Sequence, residues 1–223
     1  MARKQVRRAL DMALAALLLL QMGYQLLPED LHAALGLGMT LAATAHLALN
    51  AGWVRTMGRG RWGAARALMT VAAGASLLLM LSLALSGLVL SGLVDALRPL
   101  DEAARAAHLS SSYLALLVLP LHAGTHLTPV LDAAIGAKGA RAPRPAAILG
   151  LGAWVALACL GVYEFVTLHV WDYVTLRMPF VLPAEVPLPL YLLEHFSVMA
   201  LCALLGAVLA RLTRRRGPAV CSP

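Results

Sequence analysis

Four of the seven histidines in this chain fall into two matched pairs: His32 and His46 are 14 residues apart, and so are His108 and His122. At 100° per residue, 14 helical steps return a side chain to within about 40° of its starting direction and about 21 Å further along the axis. Each pair therefore lies along one face of its helix. Two neutral imidazoles from facing helices at one level can supply both axial ligands of a haem iron, so two levels make two haem sites, His32 with His108 and His46 with His122. Zinc fits less well, because it needs about four ligands converging at one point and these pairs are too far apart along the helix. His126 complicates the inner level: it follows His108 by 18 residues and returns to the same face. Its rise of about 27 Å exceeds the roughly 21 Å that the other helix offers, which favours His122 and leaves His126 to meet a haem propionate or a quinone. Pro120 removes a backbone hydrogen bond just before these residues and keeps a swap of ligand between His122 and His126 open.

These histidines need long helices to carry them, and the composition supplies them. Of the 223 residues, 61% are hydrophobic and 13% charged, a balance that a water-soluble domain cannot cover with polar surface. Six apolar stretches, at about 9–27, 31–54, 65–94, 106–130, 146–169 and 189–210, each approach the roughly 20 residues that span a bilayer. The expected fold is all-α, a polytopic membrane protein of six transmembrane helices. Residues 1–132 form a four-helix haem-binding bundle, and 133–223 add two C-terminal helices joined by an outer interfacial loop at 170–189. Fifteen of the 18 Lys and Arg residues fall on one side if the N-terminus is cytoplasmic, leaving only Arg98, Arg105 and Arg177 outside. That bias predicts cytoplasmic N- and C-termini. It also explains the net charge of +7 without nucleic acid, since the basic residues flank apolar segments instead of forming one patch. The first stretch follows basic residues like a secretory signal, yet no small-x-small cleavage pattern follows Leu20, and it is retained as a helix.

Other residues refine this picture. Cys159 and Cys202 fall mid-span and Cys221 in the tail, so no structural disulfide is expected, and no Cys-x-x-Cys-His is present for covalent haem attachment. Gly36, Gly38, Ala42 and Ala43 on the second span and Ser110, Ser111, Ser112 and Ala115 on the fourth are small enough to line a porphyrin. Gly23, Gly74, Gly87 and Gly92 could admit its edges, although small residues also occur at ordinary helix interfaces. The segment 170–189 mixes Trp171, Tyr173 and Phe180 with four prolines, Pro179, Pro183, Pro187 and Pro189. It reads as an interfacial aromatic belt or as a surface that docks a partner or admits quinone. Glu164, His169, Glu194 and His195 gather toward the outer end, as interfacial polar residues or as a proton-handling group beside a quinol site. The alternative function is a proton- or solute-translocating transporter that uses these intramembrane His and Glu residues; a scaffold with histidines as interhelical hydrogen-bond glue is a third.

The arrangement resembles the di-haem core of membrane b-type cytochromes. More closely, the chain is similar over nearly its whole length to a family of bacterial membrane proteins designated DUF4405. The likeness rests on Leu31-His32, on His46-Leu47-Ala48-Leu49-Asn50 with Trp53, and on Ser86-Gly87 through Ser91-Gly92. It continues in His108, in His122-Ala123-Gly124-Thr125-His126, and in Gly161-Val162-Tyr163-Glu164-Phe165 through Tyr191 to His195-Phe196. Ala51-Gly52 departs from the pattern, where family members typically carry an aromatic or basic residue. The resemblance implies an electron conduit with two non-covalent b-type haems in the bacterial cytoplasmic membrane. Electrons would pass between a quinone pool or cytoplasmic donor and an extracytoplasmic redox partner, often a flavinylated one. Such a protein is an electron-carrying subunit of an oxidoreductase system more than a stand-alone enzyme.

Overall fold

The computed structural model describes residues 2–56, 59, 62–136 and 145–215, and every regular element among them is helical. Helix α1 covers Ala2–Met22. Helix α2, Glu29–Leu49, starts after Pro28 with Glu29 and Asp30 in its first turn, where negative charge offsets the exposed N–H groups of a helix start. It ends where the Asn50 side chain turns back and donates to the His46 carbonyl at 2.8 Å, the kind of local competition that makes Asn a helix terminator. A short α3, Ala51–Thr56, restarts beyond it, so the expected span at 31–54 is two helices instead of one.

Helix α4, Ala64–Leu90, closes on Ser91 and on Gly92 at φ +67°, a left-handed position that glycine adopts without strain. Gly92 thus ends a helix. Helix α5, Asp101–Thr125, runs through Pro120 and stops at His126, which caps it, and α6, Thr128–Ala134, follows. Helix α7 covers Pro145–Thr167, α8 Val170–Val174 and α9 Leu188–Arg215. The helices α2, α4, α7 and α9, and the segment 95–125 that contains α5, are long and apolar enough to cross a membrane. Arg7, Arg8 and Asp11 set α1 apart from this group by their charge.

Helix α9 packs along both α5 and α7, and Ser197, Val198 and Ala207 on it are fully buried. Glycines allow these contacts. A Cβ on Gly124 would collide with the Ala203 backbone, one on Gly206 with the Leu121 carbonyl, and one on Gly161 with the Ser197 carbonyl. Small residues let helix backbones approach this closely where apolar surroundings give no hydrophobic drive. Helix α9 also touches α1 and α4, and the core it joins draws on α1, α2 and α5 as well. Large side chains such as Leu37, Leu78, Leu85, Leu149 and Val166 project outward, a surface compatible with a lipid bilayer and poorly suited to water.

Segment 170–189 is divided in its loyalties. Trp171 and Phe180 are exposed, as an interfacial belt requires, but Val170 and Tyr173 are buried in the core. Tyr173 stacks on Tyr113 with ring centroids 4.4 Å apart, and its hydroxyl accepts from Leu182 N at 3.0 Å. Cys159 and Cys202 are unpaired. The expectations for Arg61, Lys138, Arg141, Arg144, Arg216 and Cys221 fall outside the described residues.

Candidate functional site

The two helices that carry the paired histidines scarcely touch through their backbones: α2 packs on α1 and α4, while α5 packs on α4 and α9. Their imidazoles nevertheless meet. The rings of His32 and His108 have centroids 6.2 Å apart and planes inclined at 71°. Two imidazoles bound to opposite faces of one metal ion have centroids about 6 Å apart, given metal–nitrogen bonds of about 2 Å and half a ring on each side. The observed separation lies in the range of an edge-to-face ring contact and is also wide enough for a metal ion between the two rings.

The partners of His108 select its tautomer. Ser86 on α4 donates its hydroxyl to the Ser82 carbonyl at 2.6 Å and lies 3.0 Å from His108 Nδ1. With its hydrogen committed, Ser86 Oγ accepts from Nδ1–H, which leaves Nε2 bare and able to bind a metal. The glycine after it lies against the same ring, since a Cβ on Gly87 would come 3.7 Å from His108 Cε1. On α2, the Gln21 side chain from α1 reaches His32. Turned to satisfy all its neighbours, the amide nitrogen lies 3.1 Å from the His32 carbonyl and 3.2 Å from Nδ1, and the oxygen accepts from Gly36 N at 3.1 Å. Binding iron through His32 Nε2 then requires this amide to turn over, so that its oxygen accepts from Nδ1–H. Tyr24 packs edge-on to the same ring at 5.1 Å.

At the other end of the two helices the groups gather differently. His46 Nδ1 lies 2.8 Å from Asp11 Oδ1 of α1. His122 and His126 stand edge to face with centroids 5.3 Å apart, and His46 and Asp11 are near enough to act electrostatically on both. The half-buried His122 keeps its Nδ1 buried without a hydrogen-bond partner, an unmet polar atom of the kind that marks a functional position or a bound group. His126 is exposed beyond the helix end. The structure therefore brings the His32 ring to the His108 ring, and sets His46 near enough to His122 and His126 to act on them electrostatically. The first level fits a metal held by two imidazoles by its ring separation once the Gln21 amide turns over, and the second offers a cluster of imidazoles with one unmet Nδ1. An added Cβ at Gly38 or Gly74 would meet nothing within 4 Å.

The outer polar residues are engaged locally. Thr167 donates to Glu164 Oε2 at 2.8 Å, and His169 Nδ1 lies 3.3 Å from Asp172 Oδ2. His195 is fully buried, donates Nδ1–H to the Tyr191 carbonyl at 2.8 Å, stacks on that tyrosine's ring, and leaves Nε2 unpartnered. Asp11, Gln21 and Ser86 are absent from any reading of the histidine spacing. The signal that could have found Asp11 is a lone carboxylate interrupting the apolar run from Ala9 to Leu20, costly in a bilayer unless it has a partner. Comparison with protein-family models, curated proteins and solved structures finds no match to this chain, so its functional reading rests on these imidazoles and the side chains that hold them.

Proposed function

We propose that this chain is a membrane-embedded electron-transfer protein that binds two non-covalent b-type haems. The carrying observation is the His32–His108 pair, with ring centroids 6.2 Å apart on two helices whose backbones scarcely touch. His32 and His108 hold one iron, and His46 and His122 the other. His122 is preferred to His126 because it lies inside α5 at the same 14-residue spacing that α2 offers. In this reading α1 is the sixth span, both termini are cytoplasmic, and the chain lies in the bacterial cytoplasmic membrane; the distribution of Arg and Lys supports that orientation.

Bound haem supplies one-electron chemistry at each iron, with no proton required of the protein. The chain's own residues hold the two sites apart along the α2 and α5 axes, fix the tautomers through Ser86 and Asp11, and exclude water with apolar helix faces. A quinone pool or cytoplasmic donor at one end and an extracytoplasmic redox protein, flavinylated in some systems, at the other are proposed from the sequence pattern alone, with no matching family model behind them. The direct test is a haem and iron count on purified protein with a reduced-minus-oxidised spectrum. Two haems per chain are expected. Substitution of His46 or His122 by Ala should remove one haem and spare the other, and a well-folded preparation without haem would end the proposal.

A further inference from the structure

Three of the four proposed ligands have an identified partner at Nδ1, and the partners differ in charge. His108 faces the Ser86 hydroxyl and His32 the Gln21 amide, both neutral. Only His46 meets a carboxylate, with Nδ1 2.8 Å from Asp11 Oδ1. The contact is built by two residues of α1 acting together. Arg7 donates to the Leu49 carbonyl at the end of α2, and Asp11, four residues on and so on the same face of α1, takes His46 one turn earlier on α2. The Arg7 contact ties α1 to the end of α2, and Asp11 faces His46 beside it.

We infer that Asp11 is the positioning residue for the His46 imidazole, and that its charge makes the iron at the His46 level the lower in reduction potential of the two. This rests on the di-haem reading. An ionised carboxylate can only accept, so the imidazole donates Nδ1–H and presents a bare Nε2 to the metal. A hydrogen bond to an ionised acceptor is roughly twice as strong as a neutral one. It raises the basicity of the ligand and favours the more highly charged, oxidised iron, which lowers the potential. Arg7 and Arg214 stand at the same end and oppose this effect. Arg7 is turned to the Leu49 carbonyl and Arg214 acts on His126 through space, whereas Asp11 touches the ligand itself. Electrons entering at the His46 level would then run downhill to the His32–His108 level.

The experiment is a potentiometric titration of the purified full-length protein, followed by absorption and by the low-spin ferric resonances, with Asp11→Asn, Asp11→Glu and His46→Ala. Wild type is expected to titrate in two steps, the lower of which disappears in His46→Ala. In Asp11→Asn, which keeps a hydrogen-bond acceptor without the charge, the lower step should rise so that the oxidised-to-reduced ratio at fixed potential falls at least tenfold, about 59 mV for one electron. The upper step should stay in place, and Asp11→Glu should restore the wild-type value. If Asp11→Asn holds a single haem, recovery of the second in Asp11→Glu supports the assignment and its continued loss overturns it. Two haems with an unmoved lower step in Asp11→Asn would overturn the inference alone. A haem-free wild-type protein would overturn the di-haem reading together with it.

Discussion

Replacement of Ser86 by Ala should weaken one haem site and leave the other intact. Ser86 is buried, and its hydroxyl hydrogen is committed to the Ser82 carbonyl at 2.6 Å, so its oxygen is the acceptor for His108 Nδ1 at 3.0 Å. Alanine removes the acceptor without offering water a path to the ring. The Leu83 carbonyl is also within reach of His108, so the loss is at most that of a buried donor left unmet, about 1–3 kcal/mol; since about 1.4 kcal/mol is tenfold in binding, the haem at the His32–His108 level should bind up to about 150-fold more weakly. The loss overlaps the range of about 10- to 100-fold typical when the group that orients a metal-bound histidine is removed. Ser86→Thr keeps the hydroxyl and should retain most of the affinity. The assay is haem dissociation into an excess of a haem-scavenging protein, read as two kinetic phases and assigned with His108→Ala and His46→Ala. Unchanged dissociation of both haems in Ser86→Ala, or acceleration of the phase that depends on His46, would refute the reasoning.

The α5–α9 crossing makes a second expectation. Gly206→Val forces a side chain against the Leu121 backbone, which cannot rotate away, and should lower stability in detergent by about 1–3 kcal/mol or more; an unchanged thermal midpoint would show that the two helices do not meet there. The orientation can be checked by single cysteines at Lys4 and Asp95 in a background with Cys159, Cys202 and Cys221 replaced by Ser. An impermeant maleimide added to intact cells should label the cysteine at 95 and spare the one at 4, and the reverse pattern would invert the topology.

The histidine pattern was legible in the sequence because it depends on one helix at a time. A rise of about 1.5 Å and a turn of 100° per residue are properties of the backbone, so 14 residues between His32 and His46 and again between His108 and His122 put each pair on one face whatever the helices pack against. The apolar runs that make the long helices are equally local. Helix ends were less legible. Asn50 and His126 stop helices inside apolar stretches, and Gly92, read from the sequence as able to admit a porphyrin's edge, carries a positive φ at a helix end.

The tertiary structure alone decided what each imidazole faces. Asp11 reaches His46 across 35 residues of chain and Ser86 reaches His108 across 22, pairings that depend on the register of one helix against another and leave no periodic trace. The central place of α9 likewise follows from Gly124, Gly161 and Gly206 meeting backbone from a neighbouring helix, and glycines elsewhere in the chain look the same in sequence. The burial of Tyr173 beside exposed Trp171 has the same origin. Spacing along a helix is dictated by covalent geometry, whereas the partner across a helix interface is chosen by the packing of the whole.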